Sequence, residues 1–123
     1  MAQTEVFNDM KVLVIDDDDL LRRVIYDNLI NCGCEVMAAD SLHDARRLLA
    51  SDSFDVMISD MRLPDGNGLE LMAEQREASP GMEVVVMTAY ANVDTAVKAI
   101  KNGAFDYLSK PFEDGQLYKI LRN

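Results

Sequence analysis

Asp60 stands where a short apolar run, Val56-Met57-Ile58, gives way to a carboxylate, and a turn signal follows at once in Pro64 and Asp65-Gly66. Four more groups stand just after apolar runs. Asp16 and Asp17 follow Val12-Leu13-Val14-Ile15, Thr88 follows Val84-Val85-Val86-Met87, and Lys110 follows the segment from Ala104 to Ser109. Brought together, three carboxylates would raise one another's pKa unless paired. A small hard divalent cation resolves this. Mg²⁺ takes oxygen ligands, keeps several waters, and commonly uses one or two carboxylates with phosphate oxygens. With that cation and Lys110 beside it, Asp60 stays ionised and can act as a nucleophile that forms an acyl phosphate. Lys110 would counter charge on a transferring phosphoryl group, and Thr88 could donate a hydrogen bond to it.

Each of these residues also has an ordinary structural reading. The run Asp16 to Asp19 suits a helix N-cap and first turn, Thr88 suits a strand end, and Lys110 before a proline suits an exposed loop. Asp60 could cap the turn after it, Asp65 reads as a turn residue, and His43 as a surface residue of a helix. The functional reading rests on their coincidence at one edge of a sheet, which requires a particular arrangement of elements.

Residues 1–9 read as a loose leader and 10–123 as one domain. Five apolar or mixed runs alternate with five helical patterns. The strands are Lys11–Ile15, Glu35–Ala39, Phe54–Ser59, Glu83–Met87 and Ala104–Ser109. The first helix spans Leu20 to about Asn31, with Leu21, Val24, Ile25 and Asn28 or Leu29 on one face. Asp18 or Asp19 suits its N-cap, and Gly33 its left-handed end. The second opens at Ser41 with Asp44 as a capping-box variant and runs to about Ser51, with Leu42, Ala45 and Leu49 facing the core. The third spans Gly68 to about Ala78. The fourth spans about Asn92 to Asn102, with Val93, Ala96, Val97 and Ile100 on one face and Gly103 as its stop. The fifth spans Glu113 to Asn123, with Leu117, Ile120 and Leu121 apolar. It is short and lacks a terminal punctuator, which fits an excised domain.

This alternation predicts an α/β fold, a doubly wound parallel sheet with helices on both faces. Strands one, three and four are apolar throughout and should be central. Strands two and five are mixed and should be edges. Right-handed crossovers then give the order 2-1-3-4-5, with the crevice at the reversal between strands one and three.

Composition narrows the classes further. A length of 123 residues with 49% hydrophobic content supports one globular domain with a real core. A formal net charge of −10 argues against direct nucleic-acid binding. No apolar run is long enough to span a bilayer, and no signal pattern opens the chain, so a cytoplasmic setting is expected. Cys32 and Cys34 lack a second ligand pair at zinc spacing, and a bridge between them would be strained, so they read as reduced thiols.

Four segments resemble the receiver domain of two-component response regulators. They are Val12-Leu13-Val14-Ile15-Asp16-Asp17, Ser59-Asp60-Met61-Arg62-Leu63-Pro64-Asp65-Gly66, Val86-Met87-Thr88-Ala89 and Asp106-Tyr107-Leu108-Ser109-Lys110-Pro111-Phe112. The likeness covers about Met10 to Leu121, and it implies a flavodoxin-like fold. It also implies that Asp60 accepts a phosphoryl group from a sensor histidine kinase. Asp16, Asp17, Asp60 and the backbone carbonyl of Arg62 would hold Mg²⁺. Thr88 and Tyr107 would form a switch pair, and the Lys110-Pro111 bond would be cis. Thr88-Ala89-Tyr90-Ala91 and the segment Ala96 to Tyr107 look most like receivers of NtrC-type sigma54-dependent activators. In those, ATPase and DNA-binding effector domains follow, which implies a role in transcription regulation. Homodimerisation stays open.

Such a domain assists its own phosphorylation without being a turnover enzyme. An enzyme alternative is a haloacid-dehalogenase-like phosphatase with Asp16 as nucleophile, since Asp16-Asp17-Asp18 fits its Asp-x-Asp pattern. Against it, no Gly-Asp pair follows Lys110, no room remains for a cap domain, and Asp60 would have no role. A second alternative is a pseudo-receiver that binds partners without phosphorylation, which the full set of site groups disfavours.

Overall fold

The chain was analysed as a computed structural model, which describes residues 9–88, 97–98, 100–101, 103–104, 106–110 and 114–122. Parallel strands β1 (Lys11–Ile15), β2 (Glu35–Ala39), β3 (Val56–Asp60), β6 (Glu83–Thr88) and β7 (Asp106–Ser109) form one sheet in the order β2-β1-β3-β6-β7. This is the predicted order 2-1-3-4-5. The reversal lies between β1 and β3, which pair in register from Val12↔Val56 to Ile15↔Ser59.

The side-chain alternation of the central strands sorts the core into two layers. Val12, Val14, Val56, Ile58, Val85 and Met87 face one side. There they pack with Ile25 and Leu29 of helix α1 (Asp19–Asn31) and with Leu117, Ile120 and Leu121 of the C-terminal helix Asp114–Arg122. Leu13, Ile15, Met57, Val84 and Val86 face the other side. They meet Leu42, Ala45 and Leu48 of helix α2 (Leu42–Ser51) and Leu71 and Met72 of helix α3 (Gly68–Ala78).

The helix ends follow the sequence signals. Asp18 caps α1 by accepting from Leu21 N, and Ser41 caps α2 by accepting from Asp44 N. Gly33, with φ of 92°, follows the end of α1 in the left-handed region. Cys32 and Cys34 flank it as buried free thiols.

Some expectations change. Val24 is 43% exposed, because the inward stripe of α1 is Leu21, Ile25 and Leu29 at four-residue spacing and Val24 sits beside it. In α2, Leu48 is buried while Leu49 is half-buried. Val97 and Ile100, expected to share a helix face, are helical and both exposed. Most of the rest of the expected fourth helix, including Val93 and Ala96, lies outside the described residues, as do Pro111, and with it the expected cis bond after Lys110, and the leader up to residue 8. One element was not anticipated. Around Pro64-Asp65, β4 (Arg62–Leu63) and β5 (Gly66–Asn67) form a small antiparallel hairpin, pairing Arg62↔Asn67 and Leu63↔Gly66. Among the described residues no helix is long and apolar enough to cross a membrane.

Candidate functional site

The five candidate groups meet at the carboxyl edge of the sheet, where α/β folds of this kind bind ligands. Asp60 is the last residue of β3 and Thr88 the last of β6, while Asp16 and Lys110 directly follow β1 and β7. The expectation had placed Asp60 and Thr88 just past their strands. They are instead held by the ladder itself, opposite Met87 and Ser109.

Asp16 is fully buried, Asp60 and Thr88 are buried, and Asp17 is exposed at the mouth. One carboxylate oxygen from each of Asp16, Asp17 and Asp60 lies within 4.8 Å of the others. Lys110 Nζ reaches into this group. It donates a hydrogen bond to Asp60 Oδ2 at 2.8 Å and lies 2.8 Å from Asp16 Oδ2. The second contact is a buried ion pair, so the one ammonium serves both inner carboxylates. Asp16 Oδ1 accepts from Asp18 N at 2.9 Å, and Asp60 Oδ1 accepts from Arg62 N at 3.3 Å.

Burial pushes the Asp60 carboxyl above the usual carboxylate range, with the nearby Asp16 charge adding to this. The Lys110 ammonium and the Arg62 N–H oppose it without prevailing. Burial by itself would lower the pKa of Lys110, but its contacts with Asp16 and Asp60 overcome that and hold it above the ordinary lysine value. With all four groups ionised, three carboxylates face one ammonium and two negative charges remain. The donor set fits a hard divalent cation on two grounds. Every donor is an oxygen, and three carboxylates face a single ammonium, leaving negative charge for a cation to neutralise.

Two residues that the sequence reading passed over shape the edge. Arg22 donates from Nη1 to the Asp16 carbonyl and from Nη2 to Asp19 Oδ1, both at 2.7 Å, clasping the acidic loop from the first turn of α1. An arginine one turn into a helix that follows a carboxylate run was the available signal. Gly68 opens α3 directly against β3, where a Cβ would lie 2.2 Å from the Asp60 carbonyl oxygen. Tyr107, the other half of the expected switch pair, is half-buried in β7 and packs with the α2–α3 layer. Thr88 O accepts from Lys110 N at 2.8 Å. His43 is exposed, as expected.

The sequence model of the response regulator receiver domain matches residues 12–122. The chain belongs to that family. The receiver is similar to response regulator protein PilR of Pseudomonas aeruginosa, 39% identical over 111 residues, 90% of this chain and 25% of PilR. It is similar to the DNA-binding transcriptional regulator NtrC of Proteus hauseri, 40% identical over 89% of this chain and 23% of NtrC. The chain thus spans about a quarter of the length of the curated relatives it matches. Among solved structures, the beryllofluoride-activated NtrC4 receiver domain dimer aligns with a TM-score of 0.85 and 35% identity, over 91% of this chain and 93% of that one. A response regulator receiver domain from Clostridium thermocellum aligns with a TM-score of 0.86 and 34% identity, over 93% of this chain and 92% of the other. This receiver is a signalling domain rather than a turnover enzyme, and the phosphatase alternative gains no support.

Proposed function

We propose that Asp60 is the phosphoacceptor of this receiver, taking a phosphoryl group from the phosphohistidine of a sensor kinase in a Mg²⁺-dependent reaction. The supporting observation is Lys110 Nζ lying 2.8 Å from both Asp16 Oδ2 and Asp60 Oδ2, with Asp17 close by at an edge of excess negative charge. Asp16, Asp17, Asp60 and the Arg62 carbonyl are the proposed ligands of the cation. When bound, Mg²⁺ would supply neutralising charge to the phosphoryl oxygens. An Asp60 carboxylate oxygen attacks phosphorus, the P–N bond to the donor imidazole breaks, and a P–O bond to Asp60 forms. Lys110 then exchanges a carboxylate partner for a phosphoryl oxygen. Thr88, buried at the end of the neighbouring strand, donates its hydroxyl to another phosphoryl oxygen.

The phosphoryl group carries roughly −1.5 to −2 charges, and because it replaces the charge of the ionised Asp60 carboxylate the net gain at the sheet edge is about −0.5 to −1. Movement of Thr88 toward Asp60 opens space for the Tyr107 ring, and the surface on that side changes. Phosphorylation thereby biases an existing two-state equilibrium. Moving it from about 1:99 to about 99:1 takes roughly 5.5 kcal/mol of differential stabilisation. In the full-length protein the switched surface would act on ATPase and DNA-binding effector segments, as the NtrC-type relatives suggest, in the cytoplasm and with a second receiver as a candidate partner.

Incubation with a small-molecule acyl phosphate and Mg²⁺ should add one phosphoryl group by intact mass. Asp60→Asn should stay unmodified, and chelation of the metal should abolish labelling of the wild type. Equal labelling of both proteins would reject Asp60 as the acceptor.

A further inference from the structure

Asp65 does more than turn the chain. Its side chain leaves the tip of the β4–β5 hairpin and accepts two hydrogen bonds from the first turn of α2, Leu42 N to Oδ1 at 2.8 Å and His43 N to Oδ2 at 2.9 Å. Helix α2 is remote in sequence, yet its N-terminal N–H groups are satisfied in part by this foreign carboxylate. The fit at this point is close: a Cβ on Gly66 would lie 2.6 Å from Leu42 Cδ1. Farther along, Arg46 of α2 holds Glu74 of α3 through two bonds, Nε to Oε1 at 3.0 Å and Nη2 to Oε2 at 2.7 Å. The hairpin is therefore fixed at both ends. Its tip is held by α2, and its base by Met61 N on Met87 O and Gly68 N on Met61 O.

Between these two anchors sits Arg62, whose N–H reaches Asp60 Oδ1. We propose that Asp65 is a positioning residue for the acceptor site. By tying the hairpin tip to α2, it fixes the Arg62 peptide that orients the Asp60 carboxylate and presents a carbonyl to the cation. This rests on the Mg²⁺ site assigned above. Both carboxylate oxygens of Asp65 are engaged by Leu42 N and His43 N, so its effect on the site would pass through the Arg62 backbone.

Helix capping alone would give Asp65 a purely structural role, and Ser41 separates the two. Ser41 caps the same helix turn, its Oγ accepting from Asp44 N rather than bonding the hairpin tip. The test is Mg²⁺ titration of the unphosphorylated protein by calorimetry, with thermal melts alongside, for wild type, Asp65→Ala, Asp65→Asn and Ser41→Ala. Asp65→Ala should raise the Mg²⁺ Kd several-fold. Asp65→Asn, which keeps one acceptor oxygen, should fall between it and wild type. Ser41→Ala should lower Tm while leaving the Mg²⁺ Kd at the wild-type value. An unchanged Kd in Asp65→Ala, or an equal rise in Ser41→Ala, would overturn the proposal. Absence of Mg²⁺ binding to the wild type would instead reject the acceptor-site reading on which it stands.

Discussion

At the scale of the residue, the site holds more negative charge than the protein alone can stabilise. Asp60 is buried, and its pKa lies above the ordinary carboxylate value of 3.8 even with Lys110 bonded to it. The folded state therefore keeps the Asp60 proton more tightly than the unfolded chain does. Above the unfolded value the folded state binds more protons, so the Asp60 contribution to stability falls as pH rises through its titration. Replacing Asp60 with the similarly sized neutral amide removes that cost while keeping one acceptor oxygen, enough for Lys110 but not also for Arg62 N. In metal-free buffer near neutral pH, Asp60→Asn should raise Tm by roughly 3–6 °C, equivalent to about 1 kcal/mol in a domain of this size. The gap should narrow as pH falls toward the carboxylate range, and Mg²⁺ should stabilise the wild type more than the variant. Thermal melts across pH with and without Mg²⁺ check this. A lower Tm for Asp60→Asn would mean that the Lys110 pairing outweighs the burial of charge.

At the scale of the element, two glycines on helices separate close approach from mere tolerance. Gly68 starts α3 with its α-carbon pressed toward β3, and a Cβ there would sit 2.2 Å from the Asp60 carbonyl oxygen, which is backbone and cannot swing aside. Gly115, in the C-terminal helix, has nothing within 4 Å of the same added atom. Gly68→Ala should cost about 2 kcal/mol or more and weaken Mg²⁺ binding, because α3 must retreat from the acceptor strand. Gly115→Ala should be stabilising by about 0.5–1 kcal/mol through helix propensity. Urea denaturation of both variants measures the contrast. Equal effects would mean that α3 relaxes away from β3 freely. The same elements mark what the sequence could tell. Continuous apolar runs identified the buried strands, and their order followed from handedness, so the edge where Asp16, Asp60, Thr88 and Lys110 meet was legible. Single-turn geometry was not. Pro64-Asp65 reads as a turn, but no local pattern says that the Asp65 carboxylate caps a helix more than twenty residues upstream. Apolar spacing also grouped Val24 with the buried Ile25 and Leu29, since periodicity gives a face without saying how wide the buried stripe is.

At the scale of the whole molecule, chemistry is confined to one edge of the sheet and the opposite edge carries a probe of global opening. Cys34 immediately precedes β2, and Cys32 ends α1, both sealed against Val12, Ile25, Leu29 and Val36. Burial, with the neighbouring Cys32 adding to it, pushes the Cys34 thiol up to about 11, so little thiolate exists at neutral pH and modification requires the layer to open. The two ends are joined by β1, which runs from the thiol edge to Asp16, and its residues belong to both core layers. If the sheet opens as one cooperative unit, a cation at the carboxyl edge must slow modification at the far edge by the factor that it stabilises the fold. At Mg²⁺ ten times its Kd, that factor is about 11. Thiol-reagent kinetics on the wild type should show this slowing, and Asp60→Asn should show less of it. Labelling that is fast and indifferent to Mg²⁺ would instead place Cys32 and Cys34 in a locally opening segment, and α1 with β2 would then unfold apart from the strands that hold Asp16 and Asp60.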